Sequence, residues 1–305
     1  PTINADASHT NGNLAVKFDG GDQLSSAAGD TVGSTTGYTW FAVASGHTGS
    51  FGSVFNTRVG LSGNILYGTQ GNYTASVWSS VANSFKTQTV GAIGSQASII
   101  GDSVIAGGTR ELYYNGVTTV TNSISTIVQG NRINVGAVEP DEFYNNGYTN
   151  EILYYKRVLN SSETTVVQNY LSSKWGTALD SSVDYYAGDT TTNGDYDYYV
   201  TGILKLNDSN VAAGSQGGLT ITNSNTDGYL KDAGDAVFAG YKGLGSSTAD
   251  LPSGVANMRS DTVWYFDATN AATAGGQINL GFDLGQLNLE STGSSSDYVL
   301  LWRSN

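Results

Sequence analysis

The sequence predicts an all-β protein built as two antiparallel sandwiches, the first of them closed by one short helix. Three observations carry this. Short runs of Val, Ile, Tyr, Phe and Trp recur along the whole chain, broken by polar turns in which many of the 40 glycines fall. Such runs, bounded by Gly, Asn, Asp and Ser, read as strands. One segment alone, Ser161–Trp175, carries a helical period with capping residues at both ends. At 305 residues the chain has room for two domains of ordinary size.

In chain order, the first domain is expected to place strands at Leu14–Phe18, Tyr38–Ala44, Thr57–Leu61, Ile65–Tyr67 and Tyr73–Val77. Ala97–Ile105, Arg110–Tyr114, Ile133–Val135 and Glu151–Tyr155 complete the set. Asn115-Gly116 directly follows Glu111-Leu-Tyr-Tyr114, and a type I′ hairpin turn needs positive φ at both of its central residues. Asn160 is placed to cap a helix, and Glu163 stands three residues on, the spacing of a capping box. Val167, Tyr170, Leu171 and Trp175 then share one helical face, and Gly176 supplies the stop. Many antiparallel strands ending in one helix imply a sandwich. No repeat of short fixed period runs through the chain, which argues against a solenoid or propeller.

These elements resemble a known family. Phe18-Asp-Gly-Gly-Asp-Gln-Leu24 is similar to the opening strand of laminin-G-like, concanavalin-type jelly rolls, and Thr39-Trp-Phe-Ala-Val-Ala44 to their second strand. Glu111-Leu-Tyr-Tyr-Asn-Gly116 resembles a hairpin of the same family. Ile133-Asn-Val-Gly136 and Gly147–Tyr155 resemble its closing strands, and the helix resembles the tail of many bacterial members. The resemblance spans residues 10–176. It implies a two-sheet jelly roll whose relatives often bind glycans or proteins, frequently with calcium at the rim.

The domains are therefore expected at 1–176 and 185–305, joined by a polar connection, 177–184. The second begins with Tyr185–Gly202 and continues with strands at Gly218–Thr222, Ala236–Tyr241, Thr262–Phe266, Gln277–Phe282 and Tyr298–Trp302. It resembles an uncharacterised all-β module found after such jelly rolls in large bacterial surface proteins. The resemblance rests on Tyr185–Gly202 and Trp264-Tyr-Phe266. The chain stops just after Leu300-Leu-Trp-Arg303. Two readings follow: a fragment whose module is incomplete, or a last strand that waits for a partner.

Composition sets the function classes. With 13 basic and 26 acidic residues the formal charge is −13. That argues against nucleic acid, whose phosphates need Lys and Arg, and against anionic membrane surfaces. Without cysteine there are no disulfides or thiolate metal sites. No apolar run reaches membrane-spanning length. The chain opens Pro-Thr-Ile-Asn without an initiator Met, as a processed or excised chain does. Few charges and many Ser, Thr, Asn, Gly and Tyr point to a secreted or cell-surface protein.

Catalysis is not expected. His9 and His47 are expected in polar surface loops with no nucleophile motif nearby, and no serine-hydrolase elbow, zinc-protease or P-loop motif is present. Glycoside hydrolysis needs two opposed carboxylates. Glu139, Asp141 and Glu142 are interrupted by Pro140, and Glu151 is better explained as hydrogen-bonding to a neighbouring turn. Calcium is the cofactor the carboxylates suggest, since it takes six to eight oxygens. Asp19 and Asp22 flank Gly20-Gly21; Asp141 and Glu142 lie in a loop able to close on the same rim. In the second domain, Asp189, Asn193, Asp195 and Asp197 gather oxygens around Gly194, without the spacing of an EF-hand. Against each stands a solvated Asx turn.

Tyrosine platforms suit sugars, because the ring face meets C–H groups while the hydroxyl hydrogen-bonds. Tyr144, Asn145, Asn146 and Tyr148 form a loop with both ingredients and are the expected ligand site. Tyr185, Tyr186, Tyr196, Tyr198 and Tyr199 either pave an exposed face or brace the joint between domains. The expected partner is a glycan or a cell-surface protein, bound by an extracellular adhesion module. The alternative is a structural subunit that polymerises through its sheet edges into a fibre, sheath or layer.

Overall fold

The computed structural model describes residues 1–27, 36–48, 52–57, 64–69, 72–79, 84–124, 127, 132–138, 143–207, 209–243, 246–247, 251, 253, 259–273, 275–289 and 298–302. The chain divides into two compact units, Pro1–Asp184 and Tyr185–Asn305.

In the first unit the early strands are β1 (Thr2–Asn4), β2 (Ala15–Asp19), β3 (Leu24–Ser25), β4 (Gly37–Ser45), β5 (Gly52–Asn56) and β6 (Asn64–Thr69). β7 (Asn72–Ser79), β8 (Ser84–Gly91), β9 (Ser98–Ile105), β10 (Gly108–Tyr114), β11 (Val117–Ile124), β12 (Asn134–Val135) and β13 (Asn146–Tyr155) follow. The helices are α1 (Ala7–Thr10) and α2 (Ser161–Trp175). One sheet runs β1-β2-β13-β4-β9-β10-β11 and the other β3-β12-β5-β6-β7-β8. Strands distant in sequence lie side by side, β13 between β2 and β4, in the crossed-over order of a concanavalin-like jelly roll.

β4 is buried along its whole length, because both of its faces are covered. Trp40, Ala42 and Ala44 face the second sheet, with Val54, Phe55, Ile100 and Leu112. Phe41 and Val43 face the other way and pack with Ile99, Tyr113, Leu171 and Trp175, the last two from α2. A strand covered on both sides reads as a continuous apolar run, as Tyr38–Ala44 does. Between the sheets lies a charged pair: Arg110 Nε is 3.1 Å from both oxygens of Asp102, and an Arg110 terminal nitrogen is 2.8 Å from Oδ2. Both side chains are buried.

The hairpin and the helix form as the sequence indicates. Asn115 (φ 46°) and Gly116 (φ 90°) make the turn between β10 and β11. A side chain on Gly116 would put a Cβ 2.6 Å from Val183 Cγ2, so the glycine also admits a close neighbour. Asn160 Oδ1 accepts from Glu163 N and the Glu163 carboxylate accepts from Asn160 N, both at 2.9 Å. Gly176, at φ 65°, ends α2. Residues 177–184 are tied to the first unit: Thr177 Oγ1 donates to Ala97 O (3.1 Å), Asp180 N to Asn115 O (2.9 Å), and Asn169 Nδ2 to Val183 O (2.7 Å).

The second unit contains β14 (Tyr198–Leu206), β15 (Ser209–Val211), β16 (Ala213–Gln216), β17 (Leu219–Asn223) and β18 (Ala236–Lys242). β19 (Ser246–Ser247), β20 (Arg259–Ser260), β21 (Val263–Thr269) and β22 (Ile278–Phe282) complete it. The sheet β15-β14-β18-β21 and the sheet β16-β17-β22 enclose Ile203, Leu219, Ile221, Val237 and Ala239. Its polar keystone is the buried Asp235, whose carboxylate accepts from the backbone N–H groups of Lys231 (2.8 Å), Asp232 (2.6 Å) and Ala271 (2.8 Å).

One expected strand differs and another lies mostly outside the described residues. Tyr298–Trp302 joins no described sheet, because alternation alone makes no ladder. Of Thr57–Leu61, Thr57 lies just past the end of β5 and the remainder falls outside the described residues.

Candidate ligand-binding site

The loop expected to carry the ligand is anchored rather than splayed. Asn145 N donates to Gly136 O (2.6 Å), Asn145 O accepts from Gly20 N (3.0 Å), and its Oδ1 lies 2.9 Å from His47 Nδ1. Asn145 and His47 are buried, so this asparagine ties three segments together. Asn146 is exposed, opposite Asp19 in the ladder, while Tyr144 is half-buried. Tyr148 is buried as well; its ring stacks on His9 with centroids 4.8 Å apart and planes at 21°. The Lys17 ammonium stands 5.4 Å from the same ring. The four residues therefore do not share one exposed platform, and Tyr148 leads to a different surface.

That surface is a cleft of about 330 Å³ lined by Ser8, His9, Asn11, Ser95, Gln96 and Trp175, among others. Local chemistry builds it. Asp6 caps α1, accepting from Ser8 N (3.0 Å) and Ser8 Oγ (2.6 Å). These two hydrogen bonds, the hydroxyl's first, hold the Asp6 carboxyl down at about 2. His9 Nδ1 lies 2.8 Å from Ser8 Oγ and 3.1 Å from Asp6 Oδ2, contacts that fix the orientation of the ring. Asn11 and Asn13 donate to Lys174 O (3.4 and 2.7 Å), docking this segment on the last turn of α2. The result is a half-open cleft with hydroxyl, imidazole and amide groups beside an indole. Sequence reasoning treats His9 as a surface residue, and Ser8, Asn11 and Gln96 carry no signal of their own; only their meeting at the end of α2 makes them a site.

Beside the cleft, Glu151 holds the helix to the sheet. Its Oε1 accepts from Tyr170 OH (2.9 Å), and its Oε2 accepts from Trp175 Nε1 (2.7 Å) and faces Lys174 Nζ (3.0 Å). Burial, which alone would lower the Lys174 pKa, is outweighed by Tyr170 and Glu151, and the lysine is shifted up. Both oxygens of Glu151 are thus committed to α2.

Of the carboxylates expected to hold calcium, Asp19, the last residue of β2, and Asp22, just before β3, lie within reach of each other. Asp19 Oδ1 accepts from Gly21 N (3.2 Å), an Asx turn, and Asp22 Oδ2 is 2.7 Å from the Pro1 nitrogen. Asp141 and Glu142 lie outside the described residues. In the second unit, Thr190 O accepts from the backbone N–H groups of Asn193 (3.0 Å), Gly194 (2.9 Å) and Asp195 (3.1 Å). Asn193 Nδ2 there donates to Ala187 O (2.8 Å), so the Asp189–Asp197 turn is closed by its own groups. Among the described residues no three His, Asp or Glu side chains are grouped to hold a metal.

No described helix is long and apolar enough to cross a membrane. No protein-family model matches the chain, and no curated protein sequence matches it. Similar solved structures include the native heptameric SAP-like pentraxin from Limulus polyphemus, 13% identical with a TM-score of 0.42, covering 54% of this chain and 84% of that one. The mouse laminin alpha1 chain, domains LG4-5, is 9% identical with a TM-score of 0.39, covering 49% of this chain and 44% of that one. The Ruminococcus gnavus IT-sialidase CBM40 bound to alpha2,6 sialyllactose is 12% identical with a TM-score of 0.40, covering 48% of this chain and 92% of that one.

Proposed function

We propose that the chain is a non-enzymatic, extracellular binding module whose jelly-roll unit takes a neutral glycan in the cleft beside His9. The observation that carries this reading is the cleft itself: about 330 Å³, with Ser8, His9, Asn11, Ser95 and Gln96 offering donors and acceptors next to Trp175. That size falls in the range of small-ligand sites, and its polar groups match the hydroxyls of a sugar. A formal charge of −13 favours a neutral ligand over a polyanionic one. A binding role also suits Glu151, whose oxygens hold the helix and are not turned to chemistry. A module of this kind binds weakly alone and gains from multivalent display. The test is a glycan array probed with the full chain, with and without calcium, alongside Gln96→Ala. Binding of neutral glycans that weakens in the variant supports the reading; no bound glycan at high protein concentration overturns it. The calcium arm decides whether Asp19, Asp22 or the Asp189–Asp197 turn recruits an ion.

One observation favours a second reading, assembly through sheet edges. Val299, Leu300, Leu301 and Trp302 are 68%, 61%, 51% and 84% exposed, and β21 has β18 as its one described neighbour. An apolar exposed segment and an open edge can complement each other by strand addition. Light scattering across a concentration series, followed by electron microscopy, tests it; a monomer at every concentration rules it out.

A further inference from the structure

We propose that β11 is a docking edge on which two copies of the chain pair antiparallel about a two-fold axis at Val120, joining their seven-stranded sheets into one. The proposal rests on the first unit alone and does not depend on the segment Val299–Trp302. β11 is the outermost described strand of its sheet, eight residues long, and reads Val-Thr-Thr-Val-Thr-Asn-Ser-Ile. Such an edge offers a row of unpaired N–H and C=O groups to another strand, and natural proteins guard against this by keeping edges short, charged or interrupted. The other outermost described strands follow that rule. β1, β3, β15 and the β19–β20 pair have two or three residues each, β8 carries Lys86, β21 carries Asp267, and Gly214 and Gly281 weaken β16 and β22. β11 has none of these devices, and no charged residue stands anywhere between Glu111 and Arg132.

The hairpin turn sets the register. Tyr114 and Val117 flank the two-residue turn Asn115-Gly116, so Val117 directs its N–H and C=O to β10. Alternate residues do likewise, and Thr118, Val120 and Asn122 direct theirs outward. An antiparallel partner sets outward residues opposite outward ones and inward opposite inward. With the axis at Val120, the valines of the two copies oppose each other, Thr119 opposes Thr121, Thr118 opposes Asn122 and Val117 opposes Ser123. Paired β-branched and hydroxyl residues of this kind stabilise sheets. An axis at Thr121 would instead set Val120 against Asn122, an apolar side chain against an amide.

Val117 and Val120 lie on opposite faces of the strand and are 50% and 61% exposed, so an added strand covers apolar surface on both. The hairpin is also held in place beforehand. Asn115 Oδ1 accepts from Ile99 N (2.8 Å) and Asn115 O from Asp180 N (2.9 Å), which lowers the ordering cost of pairing. The formal charge of −13 does not oppose the contact locally. Glu111 stands opposite Val120 on β10. Its counterpart in the second copy would lie three strand spacings away, about 14 Å, beyond the screening length of about 8 Å at physiological salt. Because the same strand serves both partners, the contact closes at two copies. It is small, so dissociation in the micromolar range is expected. The pair doubles whatever site the first unit carries, the simplest form of multivalent display.

The test is sedimentation velocity of the full chain from micromolar to submillimolar concentration, where a monomer–dimer equilibrium is expected. Val120→Pro removes an outward N–H and leaves the ladder to β10 its hydrogen bonds. It should weaken dimerisation at least about tenfold with little change in melting temperature. If Val120→Pro does not fold, Val120→Lys takes its place, since it opposes two ammonium groups across the axis, and the same loss is expected. Single cysteines read the register, because the parent has none. A short bis-maleimide should join Val120→Cys into a covalent dimer. It should not join Val117→Cys, whose two copies would stand about six residues, or roughly 20 Å, apart along the strands. Four results overturn the proposal: a monomer at every concentration, assembly that Val120→Pro does not change, undiminished dimerisation in Val120→Lys, or equal cross-linking at the two cysteine positions.

Discussion

Replacing Glu151 by alanine should cost the first unit about 3 kcal/mol, because it removes two hydrogen bonds to a charged acceptor, each worth about 1.5 kcal/mol. The bonds at stake are those from Tyr170 OH (2.9 Å) and Trp175 Nε1 (2.7 Å). The ion pair with Lys174 is partly exposed and adds about 0.5 kcal/mol at most. Trp175 is buried and its indole N–H has no other role than to donate, so the loss is not recovered from water. For a unit of this size, roughly 2–4 °C per kcal/mol gives a fall of about 6–12 °C. Glu151→Gln separates geometry from charge. Its amide oxygen can accept from the indole, while its N–H₂ takes the place of the oxygen that accepted from Tyr170 OH, so the charge and that one acceptor are lost. About 1 kcal/mol, or roughly 2–4 °C, is then expected. Differential scanning calorimetry of the two variants is the assay. An alanine variant melting within about 1 °C of the parent would refute the claim that Glu151 fastens α2 to the sheet.

Three further outcomes follow from the packing. Arg110→Ala leaves the buried Asp102 without its partner and should cost about 3–5 kcal/mol, whereas Asp102→Leu with Arg110→Met should be neutral or stabilising; urea midpoints distinguish the two. At Asp235, burial alone would raise the pKa, but the N–H groups of Asp232, Ala271 and Lys231 and the charge of Lys205 lower it below 3.8. Its contribution is therefore full above the unfolded value and lost as pH falls through the folded pKa. Asp235→Asn should cost about 2–3 kcal/mol at neutral pH, with the gap from the parent closing in acid melts. Gly116→Ala combines a left-handed φ of 90° with a 2.6 Å approach to Val183, and should lower the urea midpoint by the equivalent of about 1–3 kcal/mol.

Much of the first unit is legible in its sequence because the local signals there are strong. The capping pair Asn160 and Glu163, the stop at Gly176 and the Asn115-Gly116 turn each act over a few residues, and the structure contains all of them. β14 is harder to read: its first residues are two tyrosines and a bulge, and the ladder to β18 that defines it comes from residues far along the chain. Tyr298–Trp302 shows the converse, a strand pattern outside every described ladder. The site is least legible. Asn145 and Tyr148 look like ligand groups but turn inward, because their partners, His47 and His9, come from elsewhere in the sequence. The polar face of α2 also misleads: Thr165, Gln168, Asn169, Ser172 and Ser173 are all buried, since small polar side chains can pack closely while bonding back to the helix, as Asn169 and Ser173 do. The cleft brings together α1, the 95–97 loop and the end of α2, and no stretch of sequence contains more than a part of it.

The most direct measurement is calorimetric titration of a neutral glycan selected from the array into the parent chain and Gln96→Ala. If the cleft is the site, Gln96→Ala lowers the affinity at least about tenfold. Equal affinity in the parent and Gln96→Ala, with both folded, would contradict a binding site beside His9.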